Sequence, residues 1–545
     1  MRRFLSLGLA FVVGIAACGE DAVDRPKDTN APLTLPTKPT PEQNAKADAL
    51  LAGKDWYRHA VFYEVNVRSF QDSNGDGIGD LDGLTSRLDY LKDLGVDALW
   101  LMPIFKTAFV DSGYDVADYR EIDPAYGDIA AYDRLIAAAH AKKMRVFLDL
   151  VLNHTSDKHA WFEESRANKT NPKADWYVWS DTPSRADIGD CKPDNPRFGN
   201  GWSLDPTRNQ HYYHRFYAGQ PDLNYRNPDV VKETLDIAKF WLDRGADGYR
   251  CDVIGKLYES PMGCDMIPDT VDYIKKLRGV LDGANKVMVS EPSALDDSSP
   301  YYGNGSDMFH MSFEFGFGYL WKLAFGARDR KIIADSIAKT ASYPNGAQPA
   351  QIIGSHDVPR ASGDDWLPRN AALLAMTMKG TPFVYYGEEV GLHPGAQIIV
   401  DDRDAQRTPM TWTKDEPNHG FTKGTPWLAF GDAPASTAVD AEDADPASML
   451  TYYRQLLAFR RGHAVWGTGT ITLVPLDNTS LVAFVREDAD EAYLVAVNLH
   501  EDEQDGRADG AREGKRVFGV GTLANEGGKA HVTVPGRTGA IFKLR

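Results

Sequence analysis

The stretch "PDVVKETLDIAKFWLDRGADGYRCDV", residues 228–253, carries two periodicities in succession. Its first part has apolar residues at helical spacing, with Pro228 as a first-turn starter and Gly245 as a stop. Its second part, "DGYRCDV" (247–253), reads as a strand. A helix feeding directly into a buried strand is the unit of a parallel α/β sheet. The same unit recurs outward in both directions. Strand runs are expected at "VFYEVNV" (61–67), "DALWLMP" (97–103), "MRVFLDL" (144–150), "KVMVSE" (286–291), "MFHMSF" (308–313), "AQIIGS" (350–355) and "TPFVYYG" (381–387). Between the first two, "LDGLTSRLDYLKDLG" (81–95) spaces Leu81, Leu84, Leu88, Leu91 and Leu94 as a helix does. Counting residues 247–253, eight strands alternate with helices, the number that closes a (β/α)8 TIM barrel.

The interval between the third and fourth strands is too long for one helix. Residues 155–225, rich in Trp, Tyr, Asp, Pro and Gly, read as an inserted domain B. The barrel then comprises 54–154 and 226–462. From 463 to 545, segments such as "GTITLVPL", "SLVAFVRE" and "AYLVAVNL" predict an antiparallel β-sandwich domain.

At 545 residues, with 43% hydrophobic and 25% charged residues, the composition is that of a soluble globular protein. A net charge of −18 argues against a nucleic-acid partner. The N-terminal "MRRFLSLGLAFVVGIAAC" (1–18) has a basic start, a short apolar run and small residues before Cys18, which predicts an export signal. Its "IAAC" end resembles the lipobox of bacterial lipoproteins, which implies lipidation at Cys18 and a place in the bacterial cell envelope. The polar, Pro-rich residues that follow, within 19–53, are expected to form a disordered linker. Three cysteines remain, Cys191, Cys251 and Cys264, so at least one is unpaired; Cys251 sits in a strand pattern as a packing thiol. Whether Cys191 and Cys264 pair is open.

Barrel enzymes place their chemistry at the C-terminal ends of the strands. Here those ends carry Asp149, Asn153 and His154 (strand three), Arg250 and Asp252 (four), Glu291 (five) and His356 and Asp357 (seven). Neither a zinc motif nor a glycine-rich phosphate loop accompanies them. Paired carboxylates flanking a pocket are the apparatus of glycoside hydrolysis. Arg250, two residues before Asp252, points to the same side of the strand and is expected to hold that carboxylate ionised.

At these positions the sequence resembles the α-amylase family of glycoside hydrolases. "DLVLNH", "GYRCDVIGK", "VSEP" and "IIGSHD" resemble four of its signature regions, and "GVDALWLMPIF" and "GTPFVYYGEEVGL" its second and eighth strands. The resemblance implies Asp252 as nucleophile, Glu291 as general acid/base and Asp357 as transition-state stabiliser. It implies sugar-binding or acid-tuning roles for His154, Arg250 and His356, and an aromatic platform at Tyr114 in "SGYDVADY". Ser355 departs from the family, which usually has Asn before the His-Asp pair.

"DSNGDGIGD" (72–80) looks at first like an EF-hand, but position 12 would be Gly83, and a strand precedes the loop where a helix should. It resembles instead a structural Ca2+ site after the first barrel strand, with ligands Asp72, Asn74, Asp76, the Ile78 carbonyl and Asp80. "QPDLN" (220–224) and "QRTPMTW" (406–412) resemble the branch of α-glucosidases, oligo-1,6-glucosidases, dextran glucosidases and trehalose synthases. In that branch Asp115 and Arg407 would clamp the terminal glucose, which implies exo-cleavage of malto- or isomalto-oligosaccharides. Val253, after the nucleophile, goes with α-1,6 linkages in the branch, although a strand Val equally suits packing. An endo-acting α-amylase, a transglycosylating relative such as a trehalose synthase, and a non-catalytic maltodextrin-binding lipoprotein are the alternatives; the intact acid set argues against the last. The protein is expected to act as a monomer.

Overall fold

The computed structural model describes residues 33–293, 297–360 and 366–544. Cys18 and the expected export signal lie outside the described residues. Eight parallel strands close a barrel in sequential order: β1 (Phe62–Val65), β2 (Ala98–Leu101), β3 (Arg145–Leu150), β4 (Gly248–Cys251), β5 (Val287–Ser290), β6 (Met311–Phe313), β7 (Gln348–Ile352) and β8 (Thr381–Tyr385). Seven fall inside the strand runs read from the sequence, and β7 begins two residues before its run at 350–355.

Alternation along each strand sorts its residues between two cores. Phe62, Trp100, Phe147, Val289, Phe313, Ile352 and Phe383 point inward and fill the barrel, with Trp56 packed against them. Tyr63, Val65, Leu99 and Leu101 point outward against the helices. Phe62 and Phe383 stack at 4.4 Å inside the barrel. An interior packed with rings leaves no pore, so a site can form only above it, where the inward residues turn polar.

The helical segment at 81–95 is two helices, Leu81–Ser86 and Leu88–Leu94, broken at Arg87. Residues Pro41–Ala52, expected as part of a disordered linker, form a helix instead. Thr40 and Gln43 make a capping box there, Pro41 opens the first turn, and Ala47 and Leu51 are buried. A polar composition hid a helix that needs only two apolar anchors on the barrel.

The segment between β3 and β4 folds as a helix, Ala160–Ala167, and a three-stranded antiparallel sheet of Trp179–Ser180, Trp202–Asp205 and Gln210–Tyr213. A disulfide joins Cys191 in this segment to Cys264 in the loop after β4, while Cys251 is buried and free. Beyond the barrel, a five-stranded and a three-stranded antiparallel sheet enclose Leu481, Leu494, Ala508, Val532 and Phe542. Arg486 fastens this domain to the barrel. Fully buried, its guanidinium donates to the carbonyls of Thr377 and Met378, at the end of the helix Trp366–Thr377, and to those of Val465, Trp466 and Gly469.

Candidate active site

Asp149 on β3 and Arg250 on β4 are register partners on neighbouring strands, one step from the top of the barrel. Arg250 Nη1 bonds Asp149 at 3.0 Å and Asp252 at 2.6 Å, and Nη2 reaches Glu291 Oε2 at 2.8 Å. Three carboxyls thus share one guanidinium. Their side-chain exposures, 0% for Asp149, 9% for Asp252 and 18% for Glu291, show that Asp149 is walled in while the other two face the pocket. The chain leaves Asp252 through Val253, which adopts φ 34°, ψ 35°. A left-handed β-branched residue is a local strain of roughly 1–3 kcal/mol. That turn aims the Val253 N–H at Glu291 Oε2, 3.0 Å away.

Electrostatics in this cluster differs from the simple expectation that Arg250 keeps Asp252 ionised. Burial pushes Asp252 well up, Arg250 pulls it down, and Glu291 and Asp149 push it up again. Asp149 is likewise raised by burial, against the pull of Arg250 and His356, to about 6. Two or more acids around a single positive charge cannot all ionise cheaply, so the cluster retains a proton.

The opposite wall is built on β7 and β1. His356 Nδ1 lies 2.6 Å from Glu64 and its Nε2 3.1 Å from Asp357. Burial would lower His356, but the Asp357 and Glu64 carboxylates raise it to about 9. Burial would raise Asp357, but His356 and Arg403 bring it well below the usual carboxylate range. Ser355, the departure from the family pattern, uses its Oγ to accept the Asp357 N–H at 3.2 Å. Tyr114 stacks on His356 with ring centroids 5.4 Å apart, and its hydroxyl donates to Asp149 at 3.0 Å. His154 is buried, within 3.0 Å of the Tyr114 carbonyl, and burial lowers it to about 4, so it is neutral.

Asp115 and Arg407, expected to clamp a terminal glucose between them, make no direct ion pair with each other among the described residues. The buried Asp115 carboxylate accepts the Asp111 N–H at 2.9 Å. Arg407, fully buried, donates to Ser112 Oγ at 2.6 Å and to the His356 carbonyl at 3.2 Å, and only grazes Asp357 at 3.5 Å. The residue that does face the pocket is Arg403, which the sequence reading missed. It donates to Asp357 Oδ1 at 3.0 Å and forms ion pairs with Asp111 and Asp401. Its only sequence signal is a second arginine four residues before Arg407 in "DDRDAQR". Glu64, also missed, signals itself as the one charged residue in the apolar run "VFYEVNV". Arg197 and Tyr217 of the inserted segment bond Asp402 and Asp401, each at 3.2 Å, and brace this side.

In the 72–80 loop, Asp72 accepts from the N–H groups of Asn74, Gly75 and Gly77, and Asp80 from those of Ser73 and Gly83. Asp76 accepts from Ile78 N and Asn74 Nδ2. Among the described residues, no three His, Cys, Asp or Glu side chains are gathered to hold a metal.

Comparison with known proteins agrees with this architecture. Residues 64–469 match the family model "Alpha amylase, catalytic domain". The chain is 37% identical over 499 residues to a "Trehalose synthase/amylase TreS" of Mycolicibacterium smegmatis, covering 82% of this chain and 83% of that protein. It is 34% identical to an oligo-1,6-glucosidase of Heyndrickxia coagulans, covering 82% and 92% respectively. The crystal structure of the α-glucosyl transfer enzyme XgtA superposes with a TM-score of 0.79 at 33% identity, over 90% of this chain and 99% of that one. Because the family model spans the barrel and every carboxylate of the pocket, the chain belongs to the α-amylase family and is a glycosidase-type enzyme of that family.

Proposed function

We propose that this protein is an exo-acting, retaining α-glucosidase-type enzyme that detaches the terminal glucosyl unit of short malto- or isomalto-oligosaccharides. Asp252 attacks the anomeric carbon as Glu291 gives its proton to the departing glycosidic oxygen, leaving a glucosyl ester on Asp252. Water, deprotonated by Glu291, then displaces Asp252 and restores both acids. Asp357, kept anionic by His356 and Arg403, holds the sugar as positive charge develops on it.

The observation that carries exo-action is the Arg403 ion-pair wall. Arg403 is bonded at once to Asp357, Asp111 and Asp401, and in this reading that wall closes the Asp357 side of the pocket to a longer chain. Similarity to the mycobacterial trehalose synthase/amylase favours a second reading, in which the released glucose re-enters and intercepts the same ester. "KLYESPMGCDMIPDT" (256–270) resembles trehalose synthases in the same way. Incubation with maltose, maltotetraose and isomaltotriose, with products resolved by chromatography, tests both. Early glucose supports the exo-glucosidase, and trehalose formed from maltose the second reading. Mixed-length maltodextrins without early glucose overturn exo-action.

The 72–80 loop belongs to the same reading as a structural Ca2+ site. Asp72, Asp76 and Asp80, the Asn74 side chain and the Ile78 carbonyl offer hard oxygen donors within nine residues. Asp72 and Asp80 are buried with N–H and hydroxyl partners rather than a Lys or Arg, which suits an added cation. Lipidation of Cys18 and attachment to the cell envelope, proposed from "IAAC", are tested by mass spectrometry of the mature N-terminus. Action as a monomer is tested by light scattering.

A further inference from the structure

The disulfide Cys191–Cys264 links positions 73 residues apart, one in the inserted segment and one in the loop after the Asp252 strand. It is the centre of a connected set of contacts. Lys256 is buried, with its Nζ 3.3 Å from Asp194 of the inserted segment and 3.7 Å from Asp265 of its own loop. Arg215 reaches Asp194 from the other side at 3.2 Å. Gly189, at φ 62°, lies so close to the loop that an added Cβ would meet Pro261 Cα at 2.6 Å. Asp265 then accepts from Ser293 Oγ at 3.2 Å, and the Ser293 N–H donates to Tyr301 Oη at 3.0 Å. Ser293 is two residues past Glu291. Disulfide, ion pairs and hydrogen bonds therefore run without a gap from the inserted segment to the chain behind the acid.

Chemistry assigns a side to this structure. A general acid stands next to the leaving oxygen, and the same group later stands next to the incoming hydroxyl. The departing sugar and any acceptor sugar thus bind on the Glu291 side, opposite Asp357 and Arg403. We propose that the Cys191–Cys264 disulfide is a specificity-determining strap. By holding the Asp194–Lys256–Asp265–Ser293 wall, it fixes the surface on which the leaving and acceptor sugars rest, and so sets how the glucosyl-enzyme divides between a sugar and water. The cysteines act through the loop, as positioning residues. A wall that must be ordered each time a sugar binds weakens that sugar's binding, whereas water needs no wall. This inference rests on the α-glucosyl reaction proposed above.

The test uses the full chain and the C191S/C264S variant. Non-reducing peptide mapping should recover the 191–264 bond in the native protein; free thiols at both positions would overturn the strap. With 4-nitrophenyl α-glucoside alone, nitrophenol release should change by about twofold or less, while transfer to added glucose, relative to hydrolysis, should fall by about fivefold or more. The KM for maltose should rise with kcat little changed. Unaltered partition and KM in the bond-free protein would overturn the proposal. Should the variant fold poorly, dithiothreitol on the folded native protein makes the same comparison: it supplies two electrons and two protons, the S–S bond becomes two thiols, and the reagent closes to its own disulfide. If the native protein turns over no α-glucoside, the functional reading fails on its own. The strap is then read from hydrogen exchange across 254–266, which should quicken without the bond; equal exchange overturns it.

Discussion

Arg250 places its two terminal nitrogens on different carboxylates, Nη1 on Asp252 at 2.6 Å and Nη2 on Glu291 at 2.8 Å. One rigid guanidinium therefore sets the spacing of the pair that would attack and protonate the substrate. A spacing of about 5–5.5 Å belongs to retaining enzymes. Proton NMR of the first product should show α-glucose before mutarotation, and β-glucose first would contradict it. Asp252→Asn and Glu291→Gln should each lower kcat by roughly three or more orders of magnitude with the fold intact by circular dichroism.

Arg403 rather than Arg407 should decide exo-action. Removing it leaves Asp357, Asp111 and Asp401 without their common partner in a half-closed pocket. The loss is roughly 2–5 kcal/mol in transition-state binding, or about one and a half to three and a half decades in kcat/KM on maltose. Arg407→Ala, whose short bonds go to Ser112 and a backbone carbonyl and whose contact with Asp357 is a longer 3.5 Å, should lower Tm and cost less in kcat/KM than Arg403→Ala. Equal loss of kcat/KM in both variants, at equal Tm, would remove this distinction.

His356 gives the pH dependence. Its folded value, raised to about 9, lies above the unfolded value of about 6.5. The stabilisation it contributes is complete below about pH 6.5 and is lost as pH rises through about 9. Deprotonation also removes the charge that faces Glu64 and Asp357, with the Tyr114 hydroxyl 2.8 Å from Nε2. kcat/KM should fall on the alkaline side near pH 9, and Glu64→Gln should move that limb toward neutral pH. A limb that stays in place in Glu64→Gln would show that another group controls it.

Calcium is expected to act on stability. EDTA should lower Tm, since a ligand bound only by the folded state stabilises it, and added Ca2+ should restore it. Turnover well below Tm should be little changed. A chelated protein that keeps its Tm and loses its activity would contradict a structural role.

Arg486 should be a stability residue far from the chemistry. Arg486→Leu leaves the carbonyls of Thr377, Met378, Val465, Trp466 and Gly469 without a donor, a cost of roughly 3–5 kcal/mol. Thermal unfolding should shift down or split into two transitions, while KM for maltose at low temperature holds. An unchanged melting curve would show the two parts to be fastened elsewhere.

The barrel is legible in the order of residues alone, because strand and helix periodicities are local properties and eight such units have one common closed arrangement. Equally legible is that Asp252, Glu291, His356 and Asp357 share one end, since each follows a strand and parallel strands all end on the same face. Tertiary structure decided which charges meet. The meeting of Arg403 with Asp357 and Asp111, the Glu64 carboxylate on His356 and the Cys191–Cys264 bond all join parts far apart in the chain. An ion pair or a disulfide needs ångström proximity, and loop paths that bring such ends together are set by packing on the barrel rather than by spacing along the chain. The helix Pro41–Ala52 was decided the same way, by a barrel surface that buries Ala47 and Leu51.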